Sequence, residues 1–209
     1  EDSINKDQYE NGSSIRYCKY RLANAKYAIN REEVWRESIR KMEVRDGLIM
    51  EFGVFRGDSI TFIANILSDR EIHGFDSFEG LPEDYSSNRK KGHTSTSGVL
   101  PDVPSNVRLH KGWFEDTIPL FLQSYPEAKS SLIHIDCVLY SSTITVLSLL
   151  EKTIIPGTII IFDEYFNYPG WEDYEFKAFK EFIQEYCVTY QYIAYTDIQV
   201  AIRILSKAK

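Results

Sequence analysis

Short apolar runs alternate with amphipathic segments along most of the chain. The predicted strands are residues 47–53, 72–76, 107–111, 132–136 and 158–162, and the predicted helices are 32–42, 58–67, 115–123, 142–153 and 174–185. Buried parallel strands are apolar throughout their length, and helices connect successive strands of this kind. The alternation therefore predicts a mostly parallel sheet with helices on both faces.

The pattern changes near the carboxyl end. Residues 188–195 and 199–205 predict two strands joined by the short turn at Thr196 and Asp197. Two strands joined by so short a turn must be antiparallel, because a parallel crossover needs a dozen or more residues. We therefore predict an α/β Rossmann-like fold, with a mostly parallel seven-stranded sheet and a C-terminal antiparallel hairpin. This architecture is associated with methyltransferases.

The chain divides into an N-terminal arm and one domain. Residues 1–30 are polar and carry tyrosines such as Tyr17 and Tyr27, which we expect to pack on the body of the protein or on a second subunit. Residues 31–209 form a single Rossmann-like domain, a size that suits one hydrophobic core. Within it, residues 82–104 form a long polar segment, and loops of this length are usually lids or binding loops. We expect this loop to be mobile without ligand and to close over a bound acceptor.

Composition excludes several classes of partner. The 209 residues include 24 Lys and Arg against 31 Asp and Glu, a net charge of −7, so the chain lacks the basic surface that binding to a phosphate backbone needs. The three cysteines are scattered, which argues against a disulfide framework and favours a reducing, cytoplasmic compartment. No apolar run approaches the roughly 20 residues that span a bilayer. We therefore expect no nucleic-acid partner and no membrane association.

The strongest local signal lies directly after the first strand of the domain. The turn at residues 51–59 carries Gly53 and Gly57, which let the backbone approach a ligand at the carboxyl end of a parallel strand. The dinucleotide fingerprint G-x-G-x-x-G is absent, and this argues against NAD. Asp76 ends the next strand, where an acidic residue either accepts both ribose hydroxyls of a nucleoside or caps a turn. S-adenosylmethionine, a sulfonium with an amino-acid end, fits these groups better than a pyrophosphate does.

Five ordered blocks carry a resemblance to a known family. They are Glu51-Phe-Gly-Val-Phe-Arg-Gly57, Asp76-Ser-Phe-Glu-Gly-Leu-Pro82, Lys111-Gly-Trp-Phe-Glu-Asp-Thr-Ile-Pro119, His134-Ile-Asp-Cys-Val-Leu-Tyr-Ser-Ser-Thr143 and Ile161-Phe-Asp-Glu-Tyr165. These blocks resemble the macrocin O-methyltransferase (TylF-like) family over roughly residues 32–186. The resemblance implies a class I methyltransferase fold and methylation of sugar hydroxyls that uses S-adenosylmethionine and a divalent metal.

The resemblance also implies where the cofactor lies. The residues expected to contact it are Glu51, Gly53 and Gly57 on the methionine side, Asp76 and Ser77 at the ribose, Gly112, Trp113 and Phe114 at the adenine, and Asp136 near the reacting end. Trp113 and Phe114 fit a packing role equally well, because buried aromatic side chains are common in cores.

Acidic residues follow two further strands. Asp136 ends one predicted strand, and Asp163 and Glu164 follow the next, so all three face the crevice at the carboxyl edge of the sheet. Carboxylates held together repel one another, and a hard divalent cation such as Mg²⁺ relieves that repulsion. The alternative is an ordinary strand-end turn. The resemblance maps the family's metal ligands onto Asp136, Asp163 and Glu164. Two positions depart from the family pattern, since Val138 stands where a second Asp is common and Glu164 replaces an Asp.

The expected reaction is in-line attack of an acceptor hydroxyl on the sulfonium methyl group, which demands alignment and a deprotonated oxygen. Asp136 is the candidate proton acceptor, whereas a histidine placed like His134 is more often structural. The basic run at residues 89–93 is either a solvated loop face or a contact for a negatively charged acceptor. The expected partner is a small hydroxylated acceptor that contains a sugar, and a homodimer is compatible with the N-terminal arm.

Two rival functions stay open. A nucleotide-dependent oxidoreductase needs the dinucleotide fingerprint that this chain lacks. A non-catalytic S-adenosylmethionine-binding protein would explain why Val138 replaces an acidic residue. Full cofactor binding without methyl transfer to any acceptor would favour the second rival.

Overall fold

The computed structural model describes residues 12–208, which form six α-helices and eight strands. The helices are α1 (Gly12–Arg21), α2 (Arg31–Arg40), α3 (Asp58–Ile66), α4 (Phe114–Gln123), α5 (Tyr140–Leu149) and α6 (Glu175–Glu185). The strands are β1 (Lys26–Tyr27), β2 (Leu48–Phe52), β3 (Ile72–Asp76), β4 (Val107–Lys111), β5 (Ser130–Ile135), β6 (Ile159–Phe162), β7 (Thr189–Tyr195) and β8 (Val200–Ser206). Two 3₁₀ turns lie at Glu151–Thr153 and Trp171–Asp173.

All eight strands form one sheet in the order β1-β7-β8-β6-β5-β2-β3-β4. Strand β8 runs antiparallel to β6 and β7, and every other neighbouring pair is parallel. The chain places β3 and β4 on one side of β2 and β5 and β6 on the other, so the strand order reverses between β2 and β5. Ligands bind outside the carboxyl ends of parallel strands at such a switch point. The parallel sheet and the C-terminal hairpin confirm the predicted architecture.

The predicted count of seven strands needs a correction, because a short eighth strand lies at the sheet edge. Lys26 and Tyr27 pair in parallel with Ala194 and Tyr195 of β7. A strand of two residues shows no alternation of apolar and polar positions, so the sequence pattern could not reveal it. Its position depends on tertiary contacts, since the Tyr27 ring packs at 5.4 Å from Tyr195 and its hydroxyl donates to Asp197.

The lead-in before α2 contains the helix α1 and the short strand β1. Helix α1 brings Tyr17 against the body of the same chain, with ring centroids 5.5 Å from Trp171 and 5.6 Å from Phe176. Residues 1–11, which belong to the predicted N-terminal arm, lie outside the described residues. A second subunit in contact with this arm stays a prediction.

The core lies on both faces of the sheet. One cluster joins β2, β5 and β6 to α4, α5 and α6 through side chains such as Phe52, Ile133 and Phe162. The other joins the same strands to α2 and α3 through side chains such as Ile49 and Ile161. Strands β5 and β6 are buried along their whole length. Each of their residues meets a helix layer on one face or the other, although β5 also carries Ser130, Ser131 and His134.

None of the described helices has both the length and the apolar character that crossing a bilayer requires. The longest, α6, has 11 residues.

Candidate active site

Gly53 lies where the ends of β2 and β5 come closest together. Its φ of +93° is in the left-handed region, and a Cβ added there would lie 2.0 Å from the carbonyl oxygen of Asp136. The Gly53 amide donates to the carbonyl of Phe75 at 2.9 Å, which ties the turn to β3. Only glycine satisfies both the backbone conformation and the close approach. The turn therefore leaves β2 directly at the switch point of the sheet.

Asp76 holds this turn in place. Its Oδ2 accepts the amides of Val54 and Phe55, both at 2.8 Å, and its Oδ1 accepts the amide of Phe78 at 2.7 Å. Phe55 and Phe78 have φ values of +49° and +60°, conformations that cost energy for residues other than glycine. The carboxylate therefore compensates two strained turns. These hydrogen bonds match the predicted alternative in which Asp76 caps a turn. The Asp76 side chain also borders the cavity described next.

A cavity of about 690 Å³ lies over the carboxyl ends of β2, β3, β4 and β5. The predicted site residues that border it are Gly53, Asp76, Ser77, Gly112, Trp113, Phe114, Asp136 and Glu164. The lid-like segment contributes Glu83, Arg89 and His93 to its wall, and helix α5 contributes Ser141 and Thr145. The structure thus brings residues from all five of the sequence blocks around one space.

Three predicted site residues do not border this cavity. Gly57 has a φ of +84° and begins α3, where it faces Pro101 and Val103 instead. Asp163 borders a second cavity, between α1 and the β7–β8 turn. Glu51 is only 1% exposed, because its side chain points into the protein interior rather than toward a ligand.

Glu51 instead forms a buried pair with His134. Glu51 Oε1 accepts from Ser59 Oγ at 2.9 Å, and Oε2 lies 2.8 Å from His134 Nδ1. Residues 51 and 134 are direct partners in the register of β2 with β5, so the two side chains share one face of the sheet. Sequence reasoning missed this pair, since the register between strands far apart in sequence cannot be obtained from periodicity alone.

His134 connects its pair with Glu51 to the acidic cluster, which consists of Asp136, Asp163 and Glu164. Its Nε2 lies 3.5 Å from Asp163 Oδ1, an ionic contact without hydrogen-bond geometry. Burial opposes the charged form of the imidazole, but the flanking carboxylates of Asp163 and Glu51 raise the pKa of His134 to about 10. The protonated form of His134 is therefore favoured beside these two carboxylates.

Asp136 and Asp163 converge at the carboxyl ends of β5 and β6. One ligand atom from each, together with one from His134, lies within 4.8 Å of the other two. Burial, followed by the charge of Asp163, raises the pKa of Asp136 well above its usual range. Carboxylate oxygens are the donors that Mg²⁺ and Mn²⁺ prefer. The charge repulsion expected from the sequence is present in the structure.

Glu164 lies outside that 4.8 Å group. Its Oε1 accepts from Arg89 Nη1 at 3.2 Å, and its buried Oε2 finds no hydrogen-bond partner among the described residues. Burial and the charge of Asp163 raise the pKa of Glu164, while Arg89 acts in the opposite direction. Its backbone amide donates to Oε2 of the buried Glu175 at 3.1 Å. Glu164 thus shares the electrostatics of the cluster, but its side chain pairs with the loop.

Val138 borders the cavity in a strained conformation. Its φ of +62° lies in the left-handed region, where a β-branched residue is a clear outlier and Asn or Asp is favoured. The backbone conformation at position 138 therefore favours a short polar side chain, although the residue there is the apolar Val138. This supports the sequence observation that position 138 departs from an acidic pattern.

Comparison with known proteins identifies the family. The Macrocin-O-methyltransferase (TylF) family profile matches residues 18–190. Among curated relatives, the 8-demethyl-8-(2,3-dimethoxy-alpha-L-rhamnosyl)-tetracenomycin-C 4'-O-methyltransferase of Streptomyces olivaceus is 32% identical over 142 residues, which cover 57% of this chain and 53% of the relative. The demethyldecarbamoylnovobiocin O-methyltransferase of Streptomyces niveus is 29% identical over 150 residues, with coverage of 61% and 56%. The chain thus spans about half the length of the curated relatives it matches.

The fold agrees with solved methyltransferases. The crystal structure of a calicheamicin methyltransferase has a TM-score of 0.67 and 22% identity to this chain, and the match covers 82% of this chain and 77% of that one. The O-methyltransferase NovP has a TM-score of 0.60 at 21% identity, with coverage of 83% and 77%. At these identities the likeness establishes the class I methyltransferase fold. With a family profile matched over most of its length, the chain belongs to the macrocin O-methyltransferase (TylF) family.

Proposed function

We propose that this chain is an S-adenosylmethionine-dependent O-methyltransferase that acts on a hydroxyl of a small sugar-containing acceptor with the help of a divalent cation. One observation carries the proposal: a single cavity runs from the turn at Gly53 and Asp76 to the acidic residues Asp136 and Glu164. Membership of the family and the named activities of the curated relatives, one of which acts on a rhamnosyl compound, support the reaction class.

The cofactor would occupy the end of the cavity above β2, β3 and β4. Gly53 leaves room for the methionine part, and Trp113 and Phe114 offer aromatic faces to the adenine. Asp76 keeps the turn in shape through three amide hydrogen bonds, and a carboxylate has about four acceptor positions, so one remains for the ribose. Of the cofactor contacts expected from the sequence, all but Glu51 and Gly57 border this space.

The residues at the other end fit a divalent cation. Asp136, Asp163 and Glu164 would hold it, since their carboxylates repel one another and Oε2 of Glu164 is buried without a partner. A cation bound there supplies Lewis-acid assistance and orients the acceptor hydroxyl. The Glu51–His134 pair lies on the interior side of Asp163 and would fix the orientation of that carboxylate. Residues that contact metal ligands commonly have this role.

Asp136 would accept the proton of the acceptor hydroxyl. It borders the cavity at the carboxyl end of β5, and a carboxylate within hydrogen-bond reach of the hydroxyl can act as a general base. Position 138 supplies no second acid, because Val138 borders the same space with an apolar side chain. Proton acceptance then depends on Asp136 alone among the residues on that turn.

Val138 also favours a second candidate function, a non-catalytic protein that binds S-adenosylmethionine. An apolar residue at this place would leave a cofactor site without a complete set of acids around the acceptor. Methyl-transfer assays distinguish the two functions, because both predict cofactor binding and only the first predicts turnover.

The proposal is tested by transfer of labelled methyl from S-adenosylmethionine to 4-nitrophenyl α-L-rhamnopyranoside and related glycosides. We expect transfer in the presence of Mg²⁺ and its loss with EDTA or in Asp163→Asn, because this substitution keeps the shape of the side chain and removes a charge from the cation site. Asp69→Asn, at an exposed carboxylate far from the cluster in sequence, is the matched control and should retain activity. Turnover that survives both EDTA and Asp163→Asn contradicts cation assistance, and cofactor binding without transfer to any glycoside favours the non-catalytic function.

A further inference from the structure

Arg89 of the loop at residues 82–104 reaches the acidic cluster. Its guanidinium Nη1 lies 3.2 Å from Glu164 Oε1, and its side chain borders the same cavity as Asp136. Among the described residues, Arg89 and His134 are the basic groups that contact the cluster carboxylates. His134 compensates the inner side of the cluster, at Asp163. Arg89 compensates the outer side, at Glu164.

The loop that carries Arg89 is held against the cavity by other contacts. Ser141 Oγ donates to Glu83 Oε1 at 2.6 Å, and Tyr174 Oη donates to the carbonyl oxygen of Tyr85 at 3.3 Å. The guanidinium of Arg89 also lies 5.7 Å from the centre of the Tyr85 ring. Arg89 is therefore presented to Glu164 by a docked segment, rather than by a free surface side chain.

Lys90, the next residue of the basic run, points elsewhere. Lys90 Nζ forms an ion pair with Asp84 at 2.9 Å within the loop itself, and both side chains are more than half exposed. The two interpretations of the run that the sequence allowed thus apply to different residues. Lys90 belongs to the solvated face, and Arg89 faces the cavity.

We propose that Arg89 is an internal counter-cation that competes with the divalent cation for Glu164. This inference rests on the cation site of the proposed function. In the present geometry Glu164 is drawn to Arg89 and lies outside the group formed by Asp136 and Asp163. For Glu164 to become a ligand its side chain must move toward Asp136 and Asp163, because Glu164, with its unpaired Oε2, lies outside their group. That movement takes Oε1 away from Arg89. Cation binding therefore releases Arg89 into the cavity and loosens one tether of the loop.

Electrostatics predicts the direction in which removal of Arg89 changes the affinity for the divalent cation. A divalent ion replaces a single positive charge beside three carboxylates, so the exchange is favourable, but breaking the Arg89 pair lowers the gain. The pair is partly buried, because the exposed fraction of the Glu164 side chain is 20%. A pair in this setting interacts more strongly than a fully exposed one. Removing the guanidinium should thus strengthen cation binding, whereas the loss of a merely structural contact would weaken it or leave it unchanged.

The test is Mn²⁺ binding, measured by calorimetry and by electron paramagnetic resonance on the whole chain without acceptor. We expect Arg89→Met to bind Mn²⁺ about tenfold more tightly than the wild type. Lys90→Met is the matched control, because it removes the same charge from the same loop, and its affinity should change by less than about twofold. Asp163→Asn, which removes a proposed ligand, should abolish binding in either background.

The outcomes separate this inference from the proposed function. Equal or weaker Mn²⁺ binding by Arg89→Met, with binding still lost in Asp163→Asn, overturns the competition and leaves the cation site intact. Equal gains in Arg89→Met and Lys90→Met also overturn it, since they would show a general charge effect. Binding that Asp163→Asn does not affect overturns both the competition and the cation site. Amide hydrogen exchange of residues 85–93 gives a second readout, and an unchanged rate on adding Mn²⁺ to the wild type overturns the release of the loop.

Discussion

At the scale of single residues, the site depends on backbone conformations that few side chains tolerate. Gly53 has no room for a Cβ, because the Asp136 carbonyl oxygen would lie 2.0 Å away. The strained turns at Phe55 and Phe78 are compensated by one carboxylate, that of Asp76. The close approach of β2 and β5 therefore places the turn at Gly53 and the acid at Asp136 beside the same cavity.

Gly53→Ala should destabilise the fold in two ways, through the positive φ at this position and through the clash of the new Cβ with Asp136. It should therefore cost more than a substitution of a glycine that has a positive φ alone. Gly92→Ala is the matched control, because Gly92 has a φ of +80° but its nearest neighbour would be 3.9 Å from the new Cβ. We expect Gly92→Ala to cost about 1 kcal/mol of unfolding free energy and Gly53→Ala at least about 3 kcal/mol. Urea denaturation measures both, and equal losses would show that the close approach at Gly53 is not rigid.

At the scale of elements, strands β2 to β8 and most helices follow from the sequence, whereas the N-terminal elements α1 and β1 do not. Strands β3 and β4 begin and end at the predicted residues, although only β3 is buried along most of its length. The two-residue β1 gives no such run and exists because it pairs with β7. Helix α1 was likewise not predicted, because it packs through Tyr17 and lacks a strong apolar face of its own.

The same limit applies to the site. Asp136 and Asp163 were predicted together, because the carboxyl ends of neighbouring parallel strands meet at one edge of a sheet. The Glu51–His134 and Arg89–Glu164 contacts were not predicted, since one depends on strand register and the other on the path of a long loop. Glu51 was expected at the ligand and is instead a buried partner of His134. Sequence position therefore identified the edge of the sheet, but the register decides which side chains face the cavity.

The edge formed by β3, β4 and α4 should make the fold sensitive to mild acid. His73 is 3% exposed, and its Nδ1 lies 3.2 Å from His110 Nε2. Burial, followed by the charge of His110, lowers the pKa of His73 to about 4. The unfolded chain then binds a proton near pH 6.5 that the folded chain does not, so unfolding free energy falls as the pH drops from about 6.5 toward 4.

Substitution of His73 by Phe should remove this part of the acid sensitivity. We expect the wild type to lose up to about 3 kcal/mol by pH 4 from this residue, and His73→Phe to lose correspondingly less. His93→Asn, at an exposed loop position, is the control and should follow the wild type. Urea denaturation between pH 7 and pH 4 gives the comparison, and parallel pH profiles for wild type and His73→Phe would contradict the assignment.

At the scale of the whole molecule, the cavity joins parts of the chain that are far apart in sequence. The loop at residues 82–104 closes one side through Glu83 and Arg89, and helix α5 closes another through Ser141. The loop packs on residues next to elements anchored in the core, such as Tyr174, which precedes α6 and whose ring centre lies 4.7 Å from that of Tyr85. Occupation of the cavity is therefore expected to change how firmly the loop is held.

The loop should become harder to cleave when cofactor, cation and acceptor are all bound. Trypsin has sites at Lys90 and Lys91 in the loop, and we expect cleavage there to slow with S-adenosylhomocysteine, Mg²⁺ and a rhamnoside present, since a closed lid excludes water and protease. Cleavage in α1, at the exposed Lys19 and Arg21, provides the internal control and should be unaffected. Equal loop cleavage with and without these ligands would remove the lid function.

The central claim is that the cavity above β2, β3 and β4 binds S-adenosylmethionine. Calorimetric titration with S-adenosylhomocysteine tests it most directly, using Trp113→Ala against Leu120→Ala as a matched pair on the same side of the sheet. Trp113 borders the cavity, whereas Leu120 is 65% exposed and does not border it. We expect one site per chain, weakened about tenfold by Trp113→Ala through the loss of adenine stacking and unchanged by Leu120→Ala. Absence of S-adenosylhomocysteine binding, or binding of NAD in its place, would contradict the account.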